Sequence, residues 1–181
     1  MQTSPLKIGI ILGSTRPGRV SPQVGAWIKE IADKRDDAVY EIVDIADFHL
    51  PFLGDPSGEQ QRAAWSMKLS SLDGFVFVTP EYNHSITAVL KNALDLARTE
   101  WYNKAAGIVS YGSSGGTRAT EHLRGILAEV QVADVRTHPA LNLFTDFENY
   151  TVFKPSPLHI PHVNDMLNQV ISWSTALKTV R

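Results

Sequence analysis

Two arginines and three hydroxyls stand within the short segment from Ser14 to Ser21: Ser14, Thr15, Arg16, Arg19 and Ser21. Guanidinium groups pair in bidentate fashion with a phosphate monoester, and hydroxyls add hydrogen bonds to it. The flanking sequence, LKIGIILGSTRPGRVSP from Leu6 to Pro22, reads as a buried strand, a tight polar loop and a helix N-terminus. Ser21 suits the cap and Pro22 the first turn. Such a helix end offers unpaired N–H groups and a positive dipole, and so is a ready anion site. The loop is not the dinucleotide fingerprint, because Ser14, Arg16 and Gly18 break its spacing, and no Gly-Lys-Ser/Thr makes it a Walker loop. A solvated turn with both arginines in water is the plain alternative. The position between strand and helix favours the phosphate site.

Two more loops carry candidate chemistry. In Thr79-Pro80-Glu81-Tyr82-Asn83-His84-Ser85 the proline stiffens a strand end, Tyr82 offers a flat apolar face, and Asn83 with Ser85 can start a helix. Its backbone amides can bond the edge of a planar heteroaromatic ring. Alternatively, Tyr82 packs downward and Asn83 merely caps. In Ser110-Tyr111-Gly112-Ser113-Ser114-Gly115-Gly116-Thr117 the glycines let the backbone pass close to a ligand. Here the bland reading is a flexible turn with Thr117 as cap.

The elements that must position these loops alternate along the chain. Leu6–Leu12, Tyr40–Val43, Phe75–Thr79 and Ala105–Tyr111 read as strands, and either Val132–Thr137 or Leu141–Phe144 as a fifth. Helical stripes follow each: Val20 to Ile31, about Glu59 to Leu69, Ile86 to Ala97, Ala119 to Val130, and a last one beginning near Pro161. Five βα units imply an α/β fold, a parallel sheet with helices on both faces joined by right-handed crossovers. No linker or repeat interrupts them, so the expectation is a single three-layer domain over residues 1–181. Ligands of such sheets bind at the carboxyl ends of the strands. The three loops then describe a mononucleotide: phosphate on the first, a flat ring between the second and third. With one phosphate loop, flavin mononucleotide (FMN) fits better than a dinucleotide.

Composition narrows the remaining classes. With 17 basic against 19 acidic residues, nothing draws the chain as a whole to nucleic acid or an anionic membrane. The absence of cysteine excludes thiolate catalysis, disulfides and cysteine-ligated metal. No apolar run is long enough to span a membrane, and the MQTSPLK start lacks a signal core, so the expected location is the cytoplasm.

GSTRPGR after the first strand, PEYNHS after the third, the helix LKNALDLA and YGSSGGTRA after the fourth together resemble the NADPH-dependent FMN reductase family, flavodoxin-like quinone, azo and chromate reductases. The resemblance implies a five-stranded flavodoxin-like sandwich of strand order 2-1-3-4-5, non-covalent FMN, and NADPH (or NADH) as hydride donor. It implies that Ser14, Arg16 and Ser21 hold the FMN phosphate, with Thr15 and Arg19 close by. Pro80, Glu81, Tyr82 and Asn83 would border the isoalloxazine mainly through backbone groups, and Tyr111, Gly112, Ser113, Gly115 and Gly116 would line its other side. Many members carry asparagine where this chain has Gln23, so that residue is left out of the set. The family usually forms dimers, and a homodimer or homotetramer is expected.

On this reading the chain passes hydride from NADPH through FMN to a small oxidised acceptor, quinone-type or other, and needs no dedicated acid or base. No catalytic side chain is assigned; His84 beside the second loop reads as a surface or capping residue. His159 and His162 of HIPH lack a third ligand, so no metal is expected. A non-enzymatic flavodoxin-type electron carrier is the alternative. Such carriers are strongly acidic and hold the phosphate without arginine, unlike this nearly neutral chain. A third possibility is another phosphorylated ligand in the same site. Phe144, Phe147, Tyr150 and Phe153 punctuate the loop before the last helix, suited to wall a substrate pocket, to enter a dimer interface or to pack on the domain's own sheet.

Overall fold

The computed structural model describes residues 5–181, and the first four residues of the MQTSPLK start lie outside them. The opening apolar run forms β1 (Leu6–Leu12), buried from Ile8 onward. It is followed by α1 (Ser21–Ala32), β2 (Ala38–Asp44), α2 (Glu59–Ser70), β3 (Gly74–Pro80), α3 (Ala88–Asp95), β4 (Lys104–Gly112) and α4 (Thr117–Glu129). Two short strands, β5 (Val132–Asp134) and β6 (Ala140–Asn142), then a hairpin of β7 (Phe147–Glu148) and β8 (Val152–Phe153), lead to α5 (His159–Leu177).

The strands run parallel in the order β2-β1-β3-β4-β5, as expected for a flavodoxin-like sheet. Strands β3 and β4 are buried along their whole length, because helices cover both faces. That is why their sequences read as unbroken apolar runs. Ile8, Ile10, Val76, Val78 and Val109 face α1 and α5, meeting Val24, Ile28, Met166 and Val170. Ile11, Phe75, Phe77 and Ile108 face the opposite layer, where Trp65, Leu69, Leu90, Leu94, Leu123 and Leu127 come from α2, α3 and α4. The buried indoles keep their hydrogen bonds: Trp65 Nε1 donates to Ala93 O at 2.9 Å and Trp101 Nε1 to Leu94 O at 3.1 Å.

Several boundaries differ from the sequence reading. Both candidates for the fifth strand are strands, lying end to end along β4: Val132–Asp134 pairs with Lys104–Ala106, and Ala140–Asn142 with Ser110–Gly112. Pro139, which has no amide hydrogen to give, stands at the break, and its carbonyl accepts from Ser110 N. Ser21 does not cap α1. Val20 holds that position in a helical conformation, with no side-chain cap bond, and Ser21 is the first helical residue. Nor do Asn83 and Ser85 start α3; Thr87 caps it, its hydroxyl accepting from Leu90 N at 3.1 Å. Gly116, not Thr117, caps α4. Helix α5 begins at His159, with Pro161 in the first turn, where its missing N–H costs nothing.

The register brings the carboxyl ends of the central strands level. Leu12 lies opposite Val78, Pro80 opposite Tyr111, and Gly112 opposite Asn142. All three polar loops therefore emerge on one edge. Behind them, buried Asp146 accepts from Asn142 N at 2.8 Å and Ser156 N at 3.2 Å, with His159 Nε2 at 2.9 Å, tying β6 to the start of α5. Burial alone would raise this carboxyl, but the amides and His159 outweigh it and hold it below the ordinary aspartate value. A carboxyl depressed in the folded state stabilises the fold above its unfolded pKa, and that contribution is lost as pH falls through the folded value. Asp146→Asn is expected to cost about 1.5–3 kcal/mol at neutral pH. The gap to the parent protein should close as the pH drops below about 4, both effects being read from urea denaturation.

Candidate functional site

The first loop leaves β1 with Gly13 N donating to Val78 O at 2.8 Å, which fixes its start against β3. Ser14 is buried, and its carbonyl accepts from Arg19 Nη1 at 2.5 Å. The rest of the Arg19 guanidinium forks onto Asp44 at the end of β2, Nη1 and Nη2 each 2.6 Å from a carboxylate oxygen. Asp44 raises the pKa of Arg19 further above its ordinary value. Arg19 is thus a strut between the loop and β2, its charge already neutralised. Arg16 is exposed and makes no salt bridge among the described residues; its guanidinium lies 6.0 Å from the centroid of the Tyr82 ring.

The other groups of this loop are open. The amides of Ser14, Thr15, Arg16 and Gly18 find no backbone acceptor among the described residues. The Ser21 Oγ at the head of α1 is sealed from solvent without a hydrogen bond of normal geometry, although it lies close enough to Tyr111 to favour that phenol's ionised form. Burial is the larger influence and pushes the Tyr111 phenol well above its ordinary value. A bare helix N-terminus, free amides, an orphaned hydroxyl and an unpaired arginine make a donor set suited to a phosphate dianion. Gln23 does not belong to it. Its Nε2 donates to Thr151 O at 2.9 Å and its Oε1 accepts from Phe153 N at 2.8 Å, fastening the β7–β8 hairpin to α1.

In the second loop, Tyr82 and Ser85 bond each other's backbone at 2.9 and 3.1 Å around a two-residue turn. Asn83 and His84 at its tip take left-handed conformations, φ 48° and 75°. Their amides find no backbone acceptor among the described residues. The Tyr82 hydroxyl reaches back to 3.4 Å from Ser14 Oγ, joining the first two loops. Glu81 turns the other way. Its carboxylate pairs with the Arg118 guanidinium and accepts from Arg118 N at 3.1 Å, occupying the start of α4. Burial would raise this carboxyl, but Arg118 and the Ala119 amide hold it below the usual carboxylate range.

The third loop fits only glycine where it bends. Gly116 has φ 71°, and a Cβ there would sit 2.7 Å from Ser110 Cβ and 2.8 Å from Tyr111 N. At Gly115, with φ 68°, a Cβ would meet Ala140 of β6 at 3.0 Å. A larger residue at 115 would therefore strain the backbone against β6. Gly112 brings the second loop close, since a Cβ there would lie 3.2 Å from Glu81 Cβ. Ser113 and Ser114 remain exposed at the rim.

These placements bring Ser14, Thr15, Arg16, Ser21 and Tyr82 to one edge, with Pro80, Asn83, Tyr111, Gly112, Ser113, Gly115 and Gly116 beside them. A cleft of about 240 Å³ is lined by Ser14, Thr15, Arg16, Tyr82, Thr87 and Val89, and a second of about 360 Å³ continues past Thr15 toward His49 and Asn92. Sequence reasoning missed the residues that brace this edge: Asp44, Thr87, Arg118 and Asn142. Asp44 becomes visible only when the register sets it beside Leu12. A cavity of about 550 Å³ lies at the opposite edge among Asp73, Lys104, Lys178 and Arg181. There the charges pair with one another, Asp73 with both Lys178 and Arg181, and burial pushes the Lys104 amine down to about 8. It offers no comparable row of free donors.

His159 is held by Asp146, and no cluster of three or more His, Cys, Asp or Glu residues suited to a metal occurs among the described residues. No helix among them is long and apolar enough to cross a membrane. The four aromatics before α5 divide. Phe147 and Phe153 pack inward, stacking with each other and with Tyr111 and Trp27, whereas Phe144 and Tyr150 are exposed.

The sequence profile of the NADPH-dependent FMN reductase family matches residues 6–146. An NAD(P)H-dependent FMN reductase of Schizosaccharomyces pombe is 35% identical over 169 residues, covering 88% of this chain and 84% of the other. A 2-hydroxy-1,4-benzoquinone reductase of Burkholderia is 33% identical over 137 residues, covering 70% and 73% respectively. Among solved structures, the flavoenzyme NAD(P)H:(acceptor) oxidoreductase FerB of Paracoccus denitrificans shares the fold, with a TM-score of 0.77 at 17% identity over 94% of this chain and 98% of that one. With its loops in this order, at this edge and in this sequence context, the chain belongs to the NADPH-dependent FMN reductase family.

Proposed function

We propose that the edge formed by the three loops is the FMN cradle of an NAD(P)H oxidoreductase whose acceptors are quinone-type or similar small oxidised molecules, the whole of residues 1–181 acting as one flavin-binding domain. The observation that carries this reading is the set of unsatisfied donors at the first loop: free amides, the orphaned Ser21 hydroxyl and the unpaired Arg16 guanidinium. When bound, FMN supplies the two-electron chemistry between a reduced nicotinamide and an oxidised acceptor. The chain's own residues position it. Arg16, Ser14 and Ser21 take the phosphate, and Thr15 closes the loop around it. Arg19 keeps the loop in shape through Asp44. The amides of Asn83 and His84, with Pro80 and Tyr82, border one side of the ring; Tyr111, Gly112, Ser113, Gly115 and Gly116 border the other. The Glu81–Arg118 pair holds these two loops together from behind.

The Burkholderia relative, a reductase of a hydroxybenzoquinone, supports a quinone acceptor. A reduced nicotinamide donor is an intracellular metabolite, which is the ground for placing the chain in the cytoplasm. For assembly we favour a homodimer or homotetramer formed through the segment after β2. Phe52 is 77% and Leu53 65% exposed there, on a loop that Asn92 of α3 holds through Pro51 O at 2.8 Å and Leu53 N at 3.2 Å. Two large apolar side chains facing water on a braced loop support association there.

The purified protein should be yellow, and its flavin should bleach under anaerobic NADPH and recover its colour with a quinone. Arg16→Ala is expected to weaken FMN binding roughly 10- to 100-fold, the loss of one charge-assisted bidentate contact, measured by flavin fluorescence titration. Arg19→Ala should lower thermal stability as well as flavin affinity, because it removes the strut to Asp44. Gly116→Ala should empty the site by displacing Ser110 and Tyr111, giving colourless protein. In sedimentation velocity, Phe52→Asp is expected to shift the protein toward monomer.

A further inference from the structure

The exposed aromatic pair Phe144–Tyr150 has no role in the cradle, yet the fold keeps it in place at a cost. Its rings meet edge to face with centroids 5.8 Å apart, and the residues are 64% and 59% exposed. Tyr150 follows Asn149 in the β7–β8 turn, and both are left-handed, φ 50° and 60°. A bulky side chain at positive φ is uncommon, and glycine is the inexpensive residue there. A two-residue hairpin turn of type I′ requires positive φ at both central residues, and Thr151 N closes this one on Glu148 O at 3.2 Å.

Bonds on two flanks fix the backbone that carries the pair. Phe144 N donates to Asn142 Oδ1 at 2.8 Å, while Asn142 Nδ2 donates to Ser113 O at 3.3 Å, joining Phe144 to the third loop. Leu143 N adds a bond to Gly112 O at 3.0 Å. On the other flank Gln23 bonds Thr151 O and Phe153 N, pinning the turn that carries Tyr150 to the first turn of α1. The backbone that carries the pair is therefore tied to the third loop on one side and to the first turn of α1 on the other. Phe147 and Phe153 anchor the hairpin beneath it by packing on Tyr111 and Trp27.

We propose that Phe144 and Tyr150 form an apolar wall that receives the ring of a planar aromatic or quinonoid acceptor, and so set acceptor preference. The inference rests on the cradle proposed above. A rigid aromatic edge beside a flavin loop gains contact only with acceptors that have a flat apolar face. Acceptors without a ring gain nothing from it.

The test uses the FMN-loaded protein with NADPH, comparing 1,4-naphthoquinone with ferricyanide, a compact acceptor that lacks a ring. Tyr150→Gly and Phe144→Ala are each expected to raise the apparent KM for the quinone about fivefold, the size of one lost aromatic contact, with little change for ferricyanide. Tyr150→Gly should at the same time melt at the same temperature or higher, because glycine relieves the left-handed strain, so weakened acceptor binding cannot be ascribed to a damaged fold. Tyr150→Phe should restore the quinone KM. Equal changes for both acceptors, or no change in a variant with full flavin content, would overturn the proposal. So would loss of the oligomer in either variant, which would make the pair a contact between copies of the chain. A parent protein that takes up no FMN would instead overturn the cradle and, with it, this inference.

Discussion

The backbone ladder that joins β1, β3 and β4 in fixed register is the constraint on which the site depends. A shift of one residue would turn each strand's buried side chains to the opposite layer, so two cores, one on each face, lock it. With the register fixed, Gly13, Glu81 and Ser113 must leave the sheet at one edge, whatever their side chains. Loop chemistry then acts on a platform it did not build. The wholly buried β3 and β4 make that platform rigid, and the glycines of the third loop let it bend sharply against Ser110 and Ala140.

Charge at this edge is divided between holding the protein together and holding a ligand. Of two arginines close in sequence, Arg19 is spent on Asp44 and Ser14, while Arg16 keeps its guanidinium free. The same division separates Glu81 from its neighbours: its carboxylate serves Arg118 and the start of α4, while the Asn83 and His84 amides keep no backbone partner among the described residues. A bidentate pair sheltered from water defines geometry more firmly than one exposed to it. The first loop accordingly keeps its shape before any phosphate arrives.

Much of this was legible in the residues. Unbroken apolar runs marked the buried strands, glycine and hydroxyl clusters marked the loops, and their order implied the parallel sheet with its ligand edge. What sequence did not disclose depended on partners far along the chain. Arg19 and Asp44 are 25 residues apart and meet only through strand pairing. Ser21 looks like a helix cap, yet the chain is already helical at Val20, which turns the hydroxyl from a cap into a buried donor without a partner. Phe147 and Phe153 differ from Phe144 and Tyr150 only in hairpin pairing, since Phe147 sits directly opposite Phe153 on one face of β7–β8. Either fifth-strand segment looked adequate by itself, and the length of β4 has room for both.

That divided edge has a consequence for life in a crowded solution. A sheet edge displays unpaired N–H and C=O groups, which can recruit a strand from another molecule and begin a fibril. Here the rim beyond β4 consists of two three-residue pieces separated by a stretch that includes Pro139. Neither piece is long enough to template a foreign strand, and the proline interrupts the row of donors between them. The break that blurred the fifth strand in the sequence thus guards this side of the sheet against strand addition, while the seven-residue β2 borders the other side.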